Sequence, residues 1–188
     1  MRPKLTIKRG KLLEPFFKVF IEQKYPDFAF PSDDMVNEKI MLFKQEWAKY
    51  EDAFFDGLEK IGLEFTRNHI EVFVIAATDR DMSAPLVIRS RYDEKEFISV
   101  LLHELLHNLF NDIGLIKGYE EETDSTRSHV YVFAVEEYLF RDVLNEPERL
   151  EVEKSKSNSE KNVEYYKAWQ IVERDGYRNI VQGIRKSK

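Results

Sequence analysis

His103, Glu104 and His107 are the residues whose types and spacing could do chemistry in this chain. On a helix, His103 and His107 stand one turn apart on the same face, so both imidazoles can reach a single metal ion. Glu104 is rotated about 100° from His103, and from there it can touch a water on the metal without being a ligand. That arrangement suits metal-assisted hydrolysis, with Zn2+ as the expected ion. The chain has 4 His and no Cys. Disulfides and thiolate ligands are therefore excluded, and any metal must be held by His, Asp or Glu.

The elements that must position these groups can be read outward from them. Asp93 is a good N-cap with Glu96 three residues later, the spacing of a capping box. Ile98, Leu101, Leu102, Leu105 and Leu109 recur at three- and four-residue steps, which predicts an amphipathic helix through the motif. Asn111 to Gly114 reads as a break. Upstream, Lys4 to Lys8 reads as a short strand ending at Gly10. Leu12, Leu13, Phe16, Phe17, Phe20 and Ile21 show helical spacing, with Pro15 near the start and Tyr25-Pro26 as the stop.

A helix of about 28 residues is then expected from Ser32 to Gly62, carrying Val36, Ile40, Phe43, Trp47, Tyr50, Phe54, Leu58 and Ile61 as a packing stripe. His69 to Ala77 and Pro85 to Arg91 read as strands. The leading Pro85 suits an edge, where an extended peptide could add as a further strand. His69, at a strand entrance, reads as structural.

Downstream, Gly118 to Thr123 is an acidic loop, and Asp124 or Ser125 can cap a helix running to about Asn145. With Arg127, Tyr138, Arg141, Asp142 and Asn145 outward at 100° per residue, the opposite side carries His129, Val132, Phe133, Glu136, Phe140 and Val143. Glu137 falls on the flank. A His and a Glu on a face that should be buried are costly unless they are paired or bind metal. Glu146 to Asn162 is a solvated connection or a frayed helix. Val163 to Ile171 suggests a terminal helix stopped near Gly176, with one more turn around Ile180, Val181 and Ile184.

At 188 residues, 43% hydrophobic and 13% aromatic, the chain can bury a real core. A net charge of -6, with no sustained basic stripe, argues against nucleic acid as the main partner. No apolar run approaches the ~20 residues of a membrane span. Met1 to Lys11 is basic but is followed by no uninterrupted apolar region, so a cytoplasmic protein is expected, with no membrane partner. Nothing in the sequence points to an oligomeric state.

His103, Glu104 and His107, together with the order long helix, strands, motif helix, downstream helix, resemble the zincin metallopeptidases. The resemblance implies an α+β, zincin-like core: a long backing helix, a small mixed sheet, the HExxH helix, and a downstream helix bearing the third ligand. Residues 1–145 would form this catalytic domain, and 146–188 a charged connection and C-terminal helix packing on it. Phe110 and Ile113 stand where the metzincin pattern needs Gly and His. A gluzincin would use Glu136, and a three-His variant His129. His129 is preferred because His is rare here; Glu136, or an acid from the Glu120 to Asp124 loop, is the alternative. His129 and Glu136 lie about 10 Å apart along the helix, so the one that does not ligate would orient the other.

The implied activity is hydrolysis of a peptide or amide bond in a peptide or protein substrate, with Glu104 as general base. The alternatives are a catalytically silent zincin-fold protein that binds metal or a partner, and a helical scaffold with no metal.

Overall fold

The computed structural model describes residues 2–114, 118–157 and 162–186. The described residues form an α+β structure with seven α-helices and one mixed four-stranded sheet. They fall into two compact units, Met1–Lys49 with Arg67–Asn108, and Tyr50–Thr66 with Leu109–Lys188.

The first unit holds the sheet. Strands β1 (Lys4–Arg9), β2 (His69–Ile75), β3 (Met82–Ser83) and β4 (Leu86–Arg89) lie in the order β1-β2-β4-β3. β1 pairs parallel with β2, Lys4 opposite His69, and β2 pairs parallel with β4, Val74 opposite Ile88. β3 is antiparallel to β4, with Ser83 opposite Leu86.

The edge expectation for the Pro85–Arg91 strand is therefore corrected. β4 is paired on both sides, and Leu86, Val87 and Ile88 are all buried. A continuous apolar run is what a strand covered on both faces requires. Pro85 was a misleading signal because it lies outside β4, in the two-residue Ala84-Pro85 connection to β3, where its missing N–H costs no ladder bond. The peptide-docking role read for this strand falls with it. Asp81 fastens the approach to β3: its carboxylate accepts from the Arg89 backbone N–H at 3.0 Å and the Tyr92 hydroxyl at 2.6 Å.

Three helices contribute to this unit: α1 (Glu14–Lys24), the first part of α2 (Asp33–Lys60), and most of α3 (Glu94–Ile113). On α2, Val36, Ile40, Phe43 and Trp47 are buried, and Phe43 stacks on Phe97 of α3 at 4.0 Å between ring centroids. α3 begins with the expected capping box. The Glu96 N–H donates to Asp93 Oδ1 at 2.8 Å, and the Asp93 N–H to Glu96 Oε2 at 3.4 Å. The expected break at Asn111 comes later, because α3 continues to Ile113 and ends on Gly114, whose φ of 65° suits a residue without a side chain.

The second unit is helical. α2 ends as its sequence predicts: the Gly62 N–H donates to the Glu59 carbonyl and the Leu63 N–H to the Leu58 carbonyl, both at 2.9 Å. Gly62 has a φ of 76°. This pair of bonds is a Schellman ending.

α4 (Asp124–Tyr138) is the unit's centre and continues into a π-helical turn, Leu139–Val143. Its cap is Thr123, whose hydroxyl accepts from the Thr126 N–H at 3.2 Å; Asp124 and Ser125 lie inside the helix. Around α4 pack α5 (Pro147–Ser157), α6 (Val163–Asp175) and α7 (Tyr177–Lys186). Part of the stretch from Glu146 to Asn162 is thus a helix, with Leu150 fully buried, while residues 158–161 lie outside the described ones. The single turn expected around Ile180 is a ten-residue helix, its Ile180, Val181 and Ile184 buried.

Candidate metal centre

α3 is enclosed on most of its surface. Phe97, Ile98, Leu101, Leu102, Leu105, Leu106 and Leu109 have no accessible area, whereas His103 and His107 are half-buried. The sequence thus puts its two imidazoles on the strip of the helix that solvent reaches. Their Nε2 atoms lie 3.1 Å apart, with the rings inclined at 74°. Two nitrogens on one tetrahedral ion, each about 2.0 to 2.1 Å from it, would be roughly 3.3 Å apart. The observed spacing is close to that. Asn108, the next residue, donates its side-chain amide to the Ser83 carbonyl and ties this turn of α3 to β3. Glu104 is buried, at 9% exposure.

His129 sits in the second turn of α4 and is buried. Its Nδ1 lies 2.7 Å from the Ser125 carbonyl oxygen, one helical turn earlier. A carbonyl can only accept, so Nδ1 carries a proton, and in the neutral ring it is Nε2 that holds the lone pair. The ring is held between aromatic neighbours, Tyr165 of α6 at 4.0 Å and Phe133 at 5.3 Å between centroids. Phe133 in turn stacks flat on Trp169 at 4.2 Å.

His103, His107 and His129 each offer a ligand atom, and these atoms all lie within 4.8 Å of one another, close enough to bind a metal ion. The donor set is chemically coherent. Three neutral imidazoles are a recognised set for a catalytic metal with an open fourth position. The backbone bond that fixes the His129 tautomer is the usual outer-shell partner of such a ligand.

The other residues singled out from the sequence lie elsewhere or are otherwise engaged. Glu136 is buried on α4 but is not in the three-histidine group. Glu137 is paired with Arg141 at 2.8 Å and Lys154 at 3.5 Å. In the acidic loop, Glu120 accepts from the Gly118 N–H at 2.8 Å, which holds its carboxyl below the usual range. Glu122 pairs with Lys167, and Asp124 with Arg127. His69 is exposed, with Nε2 2.9 Å from the Thr6 hydroxyl, a structural placement.

Sequence reasoning missed Ser125 and Tyr165. The i to i+4 carbonyl was a findable signal, since a helical His can always reach back one turn; nothing in the sequence marks Tyr165. The loop leading to His129 is pinned to α6 by Thr123 to Glu164 at 2.8 Å and Tyr119 to Asp175 at 3.0 Å.

No protein-family model matches the chain, and comparison with curated proteins and with solved structures finds no similar one. No helix among the described residues is long and apolar enough to cross a membrane.

Proposed function

We propose that this protein is a zinc-dependent hydrolase of peptide or amide bonds, with a zincin-like use of its motif helix. The observation that carries the reading is the meeting of His129 with the His103–His107 pair, three imidazoles within binding distance of one ion. His103 and His107 would hold the metal from consecutive turns of α3, and His129 would complete the set through Nε2. A zinc ion there supplies Lewis acidity, polarising a carbonyl and making water nucleophilic near neutral pH. Glu104, next to His103 in the sequence, takes the attacking water's proton and passes it to the leaving amine.

The test is the purified protein with one equivalent of zinc and a quenched peptide library. Turnover is expected from the wild type. Glu104→Gln should keep the zinc and lose roughly 100- to 10,000-fold in rate. Stoichiometric zinc without turnover in the wild type would identify a silent metal-binding protein. Failure to bind zinc at all would remove the metal reading.

A further inference from the structure

Helix α1 buries a single side chain, Ile21, and leaves its opposite side apolar. Leu12, just ahead of the helix, and Phe16, Val19 and Phe20 are 96, 71, 55 and 55% exposed. At 100° per residue they form one stripe, completed by Pro15 and Gln23, neither of which is charged. Scattered exposed apolar groups are ordinary, but four large ones side by side on three turns mark a contact surface. Charges flank the stripe. Lys11, Lys18 and Glu22 lie along one side and Lys24 on the other, all exposed.

We propose that this stripe is a self-association surface, on which α1 of a second copy packs antiparallel across a two-fold axis near Phe16. A two-fold interface must be self-complementary, each contact occurring twice with its residues exchanged. With Phe16 at the axis, Leu12 of one copy meets the partner's Phe20, and the two Phe16 rings meet each other. In an antiparallel helix pair, like flanks face like flanks. Lys11 and Glu22 lie on the same flank, five and six residues either side of Phe16, or about 7.5 and 9 Å along the helix. Each Lys11 therefore comes opposite the partner's Glu22. A parallel two-fold pairing would instead bring opposite flanks together, and Lys11 would not meet the partner's Glu22.

The same charges disfavour an anionic lipid surface as the occupant. Lys24 is already paired with Asp79 at 2.6 Å, and Lys18 lies 3.6 Å from Glu22. The whole chain carries a net charge of -6. One helix per copy makes a small interface, so the association belongs to the weak, concentration-dependent class.

The experiment is sedimentation velocity on the full chain over a concentration series reaching the high-micromolar range. The wild type is expected to pass from monomer to dimer. Phe16→Asp should weaken the association roughly thirtyfold or more, with circular dichroism and melting unchanged because Phe16 is exposed. Lys11→Glu and Glu22→Lys should each weaken it roughly tenfold by turning two attractions into repulsions, and the double reversal should restore it. A chain that stays monomeric throughout, a dimer indifferent to Phe16→Asp, or a double reversal that fails to restore association would each overturn the proposal. Phosphatidylserine vesicles that bind the monomeric wild type but not Phe16→Asp would overturn it in favour of a membrane surface.

Discussion

α3 and α4 both bury most of their surface, but they hold their histidines by different means. α3 places His103 and His107 on its accessible strip, where two positions four apart bring their Nε2 atoms within 3.1 Å through the helix's own geometry. α4 buries His129 and sets it by what surrounds it: the Ser125 carbonyl on Nδ1, Tyr165 on the ring, and Phe133 beneath, backed by Trp169. One half of the group is thus built locally and the other by tertiary packing. The two halves should respond differently when broken.

The largest effect is expected from the local half. His107→Ala removes one of the two imidazoles that α3 offers, so the proposed two-point grip on the metal is lost outright. Zinc affinity should fall by well over a hundredfold, the upper end of what losing an outer-shell partner costs, while the helical circular dichroism stays near that of the wild type because His107 is half-buried. Equilibrium dialysis or competition with a chromophoric chelator measures it. One zinc retained at full affinity would break the comparison at its root.

His129→Ala is the next largest. It removes the third donor but spares the His103–His107 pair on α3, so binding should weaken by about a hundredfold or more yet remain tighter than in His107→Ala. Glu136→Ala and Glu137→Ala are the contrasts. Glu137 is occupied by Arg141 and Lys154, and its loss should cost stability and leave zinc in place. If Glu136→Ala abolishes binding and His129→Ala does not, Glu136 is the ligand and the geometry of the three imidazoles is incidental.

The same contrast explains what could be read from the sequence. Periodicity exposed α2 to within a residue or two: of its eight expected stripe residues, all but the half-buried Tyr50 are buried. The capping box at Asp93 and the glycine ending at Gly62 were legible because each is a local device with a fixed spacing. So was the His103–His107 pair. His129 was reached by a longer route, through the cost of polar groups on a buried helical face, and that route could not separate it from Glu136.

Sheet order was misread at Pro85, because a proline one residue outside a strand looks the same in sequence as one at an edge. The amphipathic reading of α4 also understated its burial, since Tyr131, Ala134 and Val135 are enclosed as well as the expected face. A helix wrapped by three others needs no polar side, and periodicity is silent about that.

Tyr165→Leu sharpens the tertiary half without touching a ligand. Leu keeps an apolar group over His129 but loses the flat ring packed at 4.0 Å. The imidazole should gain freedom, and zinc affinity should fall by about tenfold, the lower end of what outer-shell partners contribute. The matching change beside α3, Asn108→Ala, removes the amide on the Ser83 carbonyl. It should move zinc affinity less, because the spacing of His103 and His107 is fixed by their own helix. Equal losses in the two variants would mean that both halves rest on packing.

The smallest effect is a dependence on pH at the far end of the same support. Asp175 closes α6, and its carboxyl is held below the usual range, chiefly by the Arg174 guanidinium and further by the Tyr119 hydroxyl, against the opposing effect of burial. A carboxyl with a lowered folded-state pKa stabilises the fold fully above its unfolded value, near pH 4. It loses that contribution as the pH falls through the lower folded value. Asp175→Asn should therefore melt about a degree or two below the wild type at pH 7, and the gap should close as the pH is taken below about 4. Calorimetry across that range measures it. Tyr119 begins the loop that leads into α4, so zinc affinity in this variant should shift by less than in Tyr165→Leu. A melting gap that persists unchanged into acid would show that Asp175 acts through packing and not through its charge.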